Sequence, residues 1–273
     1  MPWLRPQATI DVRHLLPCVV AATAFRALEH RCRLQPSSMH GGCPCSFMHT
    51  CPWRPCSPQH CHPPRYPPCT ATLRICADGG ANRLYDELRG PSHASDSAPM
   101  PLPHAIIGDL DSIRPEVAAY YHDAGVAITD LSHDQDSTDL QKCVDYAAAH
   151  GCRPQHIVAF GAHGGRLDHI LSNLGCLYRY RHLSLVLMGE GNITRLVPRG
   201  RTIVRPHADL EGPACGLVPL AGPARASTQG LKWDMDDTEM RMGGLLSTSN
   251  ILEAEEVVVE SDSDLIWTVQ CKG

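Results

Sequence analysis

From Ala71 onward, short apolar runs alternate with amphipathic stretches, the pattern of βαβ units that build a parallel sheet. Ala71 to Ala77, Ala105 to Ile107, Val126 to Thr129, His156 to Phe160 and Leu183 to Met188 read as strands. Ala81 to Leu88, Pro115 to Ala124, Ser137 to His150 and Arg166 to Tyr180 read as the helices between them. The third is the clearest, because Leu140, Cys143, Val144, Ala147 and Ala148 recur at helical spacing and Gly151 closes it. The fourth carries Leu167, Ile170, Leu171, Leu174, Leu177 and Tyr178 on one apolar stripe. Asp78-Gly79-Gly80 reads as a tight turn, Gly90 to Pro103 as a loop and Gly161 to Gly165 as a glycine loop.

Beyond Gly189 the texture changes. Thr202 to Val204, Cys215 to Leu220, Ala226 to Trp233, Val257 to Glu260 and Ile266 to Gln270 are short alternating runs with no long helix among them. They predict a small β-sandwich or barrel, with a boundary near Gly189 to Arg195. Asn192-Ile193-Thr194 fits a glycosylation acceptor, but reads as a polar turn. The expected organisation is an N-terminal extension over 1–70, an α/β domain over 71–192 and a β-rich domain over 193–273. Residues 36–70 are crowded with Pro, Cys and His, which opposes regular structure. Their Cys and His lack the paired spacing of a structural zinc site, so this stretch reads as disordered.

A formal charge of −5 supplies no basic field for nucleic acid. Any anionic ligand must therefore be held by local devices such as helix N-termini and single arginines. No apolar run approaches the roughly 18 residues of a membrane span. Six of the 14 cysteines, Cys76, Cys143, Cys152, Cys176, Cys215 and Cys271, are scattered singly and read as reduced cytosolic thiols. Leu15 to Phe25 is short and apolar, but Asp11 and Glu29 flank it, which argues against a targeting peptide. A soluble, cytoplasmic protein is expected.

Two acidic clusters carry the chemistry: Gly108-Asp109-Leu110-Asp111-Ser112-Ile113 and Asp134-Gln135-Asp136-Ser137-Thr138-Asp139. At an extended strand end Asp109 and Asp111 point to the same side, where they can share one hard cation such as Mg²⁺. In an open parallel sheet the ligand crevice lies at the carboxyl ends of the strands, where both clusters and the two glycine turns fall. Asn82, Arg83 and Arg166 add donors and charge. Each has a plainer alternative: a turn for Asp109 and Asp111, an N-cap for Asp136, a first-turn carboxylate for Asp168, a core position for Trp233 and an exposed loop position for His163. No Walker A pattern, dinucleotide fingerprint, nucleophile elbow or His-Glu-x-x-His occurs. The residues alone point to an Mg²⁺-dependent phosphate or nucleotide enzyme.

Cys76 to Asp86, Gly108 to Val117, Asp134 to Lys142, Gly161 to His169, Gly230 to Trp233 and Leu246 to Asn250, in this order and spacing, resemble eukaryotic thiamine pyrophosphokinases. The resemblance covers roughly residues 73 to 273. It implies transfer of the pyrophosphate of ATP to the hydroxyl of thiamine, giving thiamine diphosphate and AMP. It also implies a homodimer with shared active sites, each subunit joining a Rossmann-like parallel-sheet catalytic domain to a small all-β, sandwich or jelly-roll-like thiamine-binding domain. On matching positions the catalytic residues are Asp109, Asp111, Asp139 and Asp168, with Asp109, Asp111 and Asp139 on the metal. Asp78, Gly79, Gly80, Asn82, Arg83, Gln135 and Arg166 fall at nucleotide, substrate and phosphate contacts. Trp233, Ser247, Thr248, Ser249 and Asn250 match the thiamine-binding segment. A noncatalytic thiamine- or nucleotide-binding homologue and another Mg²⁺ phosphotransferase are the alternatives. One departure stands out: the family opens with a strand and helix that nothing before Ala71 reproduces, His14 to Leu28 being the nearest segment. Losing that strand would leave a sheet edge bare beside the site.

Overall fold

The computed structural model describes residues 8–11, 18–21, 73–89, 102–150 and 157–272. The stretch 36–70, most of the loop over 90–103, and Gly151 and Cys152 lie outside the described residues. In chain order the first elements are β1 (Ala8–Asp11), β2 (Cys18–Ala21), β3 (Leu73–Ala77), α1 (Asp78–Arg89), β4 (Ala105–Gly108), α2 (Pro115–Asp123), β5 (Ala127–Asp130) and α3 (Asp139–Ala149). Then come β6 (Ile157–Phe160), α4 (Leu167–Arg179), β7 (Leu185–Gly189), β8 (Asn192–Val197), β9 (Gly200–Arg205) and β10 (Glu211–Val218). The last are β11 (Ala224–Gln229), β12 (Thr238–Met240), β13 (Ser247–Ile251), β14 (Val257–Ser261) and β15 (Leu265–Cys271). The chain packs as two compact units: one within Leu16–Pro154, the other joining β1 to Gln155–Gly273.

In the first unit β2, β3, β4 and β5 run side by side, all parallel. Parallel strands are covered on both faces, which explains why β4 reads as an unbroken apolar run and is buried throughout. Cys76 and Ile106 are register partners and enter one cluster with Ala81 and Leu84 of α1 and Val117 and Tyr121 of α2. Ile75 and Ile107 alternate with them and are buried outside that cluster, while α3 contacts the same two strands. Strand β2, within the His14 to Leu28 segment, pairs with the edge of β3 that was expected to be bare.

Two local expectations are corrected. Asp78-Gly79-Gly80 is not a separate tight turn but the first turn of α1, and neither glycine has a positive φ. Asp78 suits that position because a carboxylate is favoured at a helix N-terminus. Helix α3 is capped by Thr138 rather than Asp136: Gln141 N donates to the Thr138 hydroxyl and Thr138 N to the Gln141 side chain, a complete capping box.

In the second unit the strand order is β6-β7-β8-β15-β10-β13, parallel only between β6 and β7. A second sheet has the order β1-β9-β14-β11-β12, and β1 and β9 are its parallel pair. Val197, Leu217, Leu265 and Trp267 of the first sheet share one core with Val204, Ala226, Val257 and Val259 of the second, as the alternation predicted. Asn192-Ile193-Thr194 is not a turn but the start of β8, with Thr194 buried. β12 and β13 were not foreseen; β13 is polar in sequence and is a strand because β10 pairs with it. On α4, Cys176 and Leu177 are buried, but Leu167 and Leu171 are 69% and 48% exposed, so the expected stripe is covered only at its C-terminal end.

Burial raises the Cys76 thiol to about 12 and the Cys215 thiol to about 11, which makes both inert core residues. Among the described residues no helix is long and apolar enough to cross a membrane.

Arg195 and Glu211, 2% and 1% exposed, form an ion pair at 2.5 Å inside the second unit. Removing one partner strands the other charge in the core. Arg195→Leu is expected to lower the unfolding free energy by about 3–5 kcal/mol in denaturant titration; a change under about 1 kcal/mol would show that the pair is not structurally important.

Candidate active site

Parallel pairing of β3 and β4 brings their carboxyl ends together, with Asp78 directly after β3 and Asp109 directly after β4. Asp139 opens α3. One carboxylate oxygen from each of Asp78, Asp109 and Asp139 lies within 4.8 Å of the others. The approach is close enough to exclude a side chain at the end of β4, since a Cβ on Gly108 would stand 2.5 Å from the Asp78 Cβ.

Burial raises the Asp78 carboxyl to about 6, against the pull of two backbone N–H donors, Ser112 at 3.0 Å and Ile113 at 2.9 Å. The Asp139 charge and a hydrogen bond with Asp109 add to the rise. Asp139 is also raised, first by burial and then by the Asp109 charge, while Lys142 opposes the shift. Lys142 Nζ is buried 3.8 Å from the Asp139 carboxylate. Three clustered carboxylates thus face one buried ammonium, and Asp109 Oδ1 is itself buried without a hydrogen-bond partner. Hard oxygens with an unmet negative charge are the donor set of a divalent cation.

The expected Asp109–Asp111 pairing on one strand side does not form. β4 ends at Gly108, and Leu110 is left-handed at φ 63°, so the i, i+2 alternation of a strand is lost. Asp111 is exposed and accepts from the Ser112 hydroxyl at 2.8 Å. Asp78 takes the third place in the cluster, a position that its reading as part of a turn does not foresee. The available signal was its position, directly after an apolar run as Asp109 is.

Asn82 is half-buried, one turn further along α1, and its carboxamide is engaged by the backbone of Ser112 and Arg114. Arg83 lies half-exposed on the same helix. Gln135 is exposed and donates to Ser132 O at 2.6 Å, in a loop organised by Asp134, which accepts from the backbone of Asp136 and Ser137 and from the Ser137 hydroxyl.

In the second unit, Arg166 and Asp168 at the start of α4 form a bidentate, exposed pair at 3.1 and 2.5 Å, which holds the Asp168 carboxyl below its usual range. His163 is buried rather than exposed, and burial lowers its pKa. Trp233 is 54% exposed, not core, with Lys232 Nζ 4.9 Å from its ring centroid. Asn250 is buried and exchanges hydrogen bonds with the Trp233 backbone at 3.2 and 2.9 Å, and it donates to the Ser247 hydroxyl at 3.3 Å. It therefore holds the tryptophan in place, while Thr248 and Ser249 are exposed beside it in sequence.

Residues 69–188 match the family model described as thiamin pyrophosphokinase, catalytic domain, and residues 201–266 match thiamin pyrophosphokinase, vitamin B1 binding domain. The chain belongs to the thiamine pyrophosphokinase family. Thiamine pyrophosphokinase 2 of Arabidopsis thaliana is 46% identical over 224 residues, which cover 77% of this chain and 83% of that protein. Thiamine pyrophosphokinase 1 of Oryza sativa subsp. japonica is 43% identical over 222 residues, covering 77% and 84%. The crystal structure of yeast thiamin pyrophosphokinase superposes with a TM-score of 0.66 at 25% identity, covering 74% of this chain and 79% of that one.

The two family matches divide the candidate residues. Asp78, Asp109, Asp111, Asp139, Arg166 and Asp168 fall in the catalytic-domain match of this thiamine pyrophosphokinase family member, and Trp233 with Ser247 to Asn250 falls in the vitamin B1 binding match.

Proposed function

We propose that the chain transfers the pyrophosphate of ATP to the hydroxyl of thiamine, giving thiamine diphosphate and AMP. The acidic triad at adjacent strand ends, inside a catalytic-domain match, is the observation that carries this reading. In it, 71–192 form a Rossmann-like catalytic domain and 193–273 a jelly-roll-like thiamine-binding domain. The protein is a cytoplasmic homodimer with shared active sites, as the family resemblance implies.

The donor set fits Mg²⁺: the orphaned Asp109 Oδ1, the half-exposed Asp139 and the buried Asp78 are all hard oxygens. Asp111, exposed on the same loop, is matched to the metal by the resemblance alone. When bound, the ion spreads the charge that develops on the phosphate oxygens. The chain's residues do the rest. Asp78, Asp109 and Asp139 fix the place where phosphate oxygens gather, and in the other unit Arg166, which the resemblance matches to a phosphate contact, is a planar donor fork held by Asp168. Asn82, although matched to a nucleotide contact, has both polar atoms engaged by the loop backbone. Asp139 or Asp111 accepts the hydroxyl proton of thiamine.

Thiamine carries a thiazolium cation, and Trp233 offers an exposed ring already faced by one cation, Lys232. Trp233→Ala is expected to raise KM for thiamine about 5- to 30-fold, the worth of a cation–π contact, and to leave KM for ATP unchanged. Steady-state kinetics with each substrate varied in turn test this. An unchanged thiamine KM would remove Trp233 from the site and favour a different phosphoryl acceptor.

A further inference from the structure

Asp78, Asn82 and Asp86 stand at i, i+4 and i+8 on α1, and so share one helix face. Each holds a residue of the loop that follows β4. Asp78 accepts from the N–H groups of Ser112 and Ile113. Asn82 donates to Ser112 O at 2.7 Å and accepts from Arg114 N at 2.9 Å. Asp86 accepts from the Arg114 guanidinium at 2.5 Å.

We propose that Asn82, Asp86 and Arg114 are positioning residues that hold the loop carrying Asp109 in the shape needed to bind a divalent cation. The proposal rests on reading the acidic triad as a cation site. Between the end of β4 at Gly108 and the start of α2 at Pro115, the loop has no ladder to fix it, and Leu110 is held left-handed at φ 63°, an unfavourable shape for a branched side chain. Something outside the loop must impose that conformation. The three α1 side chains do so, pinning residues 112–114 from a helix whose first residue is itself in the triad. Helix and loop ligands are thereby set against each other. Asn82 is well chosen, because a carboxamide both donates and accepts, and this loop asks for one of each. The Asp86–Arg114 pair is exposed and so contributes less.

The test uses the full chain with Asn82→Ala and, as a milder change at an exposed pair, Asp86→Asn. Calorimetry with Mn²⁺ alone is expected to show binding weakened about tenfold by Asn82→Ala and two- to threefold by Asp86→Asn, the scale of lost outer-shell support. Amide hydrogen exchange at Ser112 and Arg114 should accelerate in both. At saturating Mg²⁺, Asp86→Asn should recover kcat to within about threefold, with the KM values for ATP and thiamine unchanged. Mn²⁺ affinity unchanged in both variants, or a raised substrate KM with Mn²⁺ affinity intact, would overturn the proposal by making Asn82 a substrate contact or a bystander. Weakened Mn²⁺ binding in a chain that makes no thiamine diphosphate would count against the kinase reading alone.

Discussion

Asp109→Asn is expected to lower turnover by on the order of 10²–10³-fold, as expected for removal of a group that organises transition-state charge, and at the same time to stabilise the metal-free protein at neutral pH. The two effects share a cause. Burial is the first cause of the raised Asp78 and Asp139 carboxyls. The Asp109 charge adds to the rise of Asp139, the Asp139 charge to that of Asp78, and a hydrogen bond with Asp109 raises Asp78 further, so the ion-free cluster is self-repelling. The sign follows from linkage: the folded Asp78 sits near 6 against an ordinary 3.8, so the fold binds more protons than the unfolded chain between those values. The stability from that extra proton is present at low pH and is lost as pH rises through about 6. Removing the Asp109 charge relieves the repulsion within the cluster, and the new amide can donate to the Asp78 carboxylate, which an ionised Asp109 cannot. The melting temperature of Asp109→Asn should therefore exceed that of the parent at pH 8 and converge with it toward pH 4, while added Mg²⁺ should stabilise only the parent. Unchanged turnover, or a lower melting temperature at pH 8, would refute the assignment.

Cation affinity should also fall steeply in acid. Below about 6 the Asp78 carboxyl holds a proton that an incoming cation must displace. Each pH unit below that point then costs about tenfold in affinity for each proton displaced. Binding of Mn²⁺ measured by calorimetry should weaken about tenfold or more from pH 7.5 to pH 5 and be nearly flat above pH 7. Equal affinity at the two pH values would mean that these carboxylates do not hold the ion.

The extent to which this was legible in the sequence follows from which interactions are local. The parallel sheet of the first unit and the capped helix α3 were legible because apolar runs and helical periodicity are properties of neighbouring residues. Asp109 and Asp139 were legible for the same reason, one ending an apolar run and the other opening a periodic one. Asp78 reads as part of a turn and not as the opening of α1, because two glycines outweigh the helix that follows them. Asn82 was legible as a donor near the site, but its contacts were not, since its partners are backbone atoms of Ser112 and Arg114, about 30 residues away. Strand β13 was hidden because Ser247 to Ile251 has little apolar alternation and is ordered by β10. The buried Arg195–Glu211 pair was hidden likewise, since two charged residues 16 apart give no sign that each has a partner in the core.

The central claim is that this chain moves a pyrophosphate group to thiamine. The most direct measurement incubates the folded full-length protein with ATP, Mg²⁺ and thiamine and separates the products chromatographically. Thiamine diphosphate and AMP in equal amounts are the predicted outcome. ADP with thiamine monophosphate, or no product from folded protein, would contradict it.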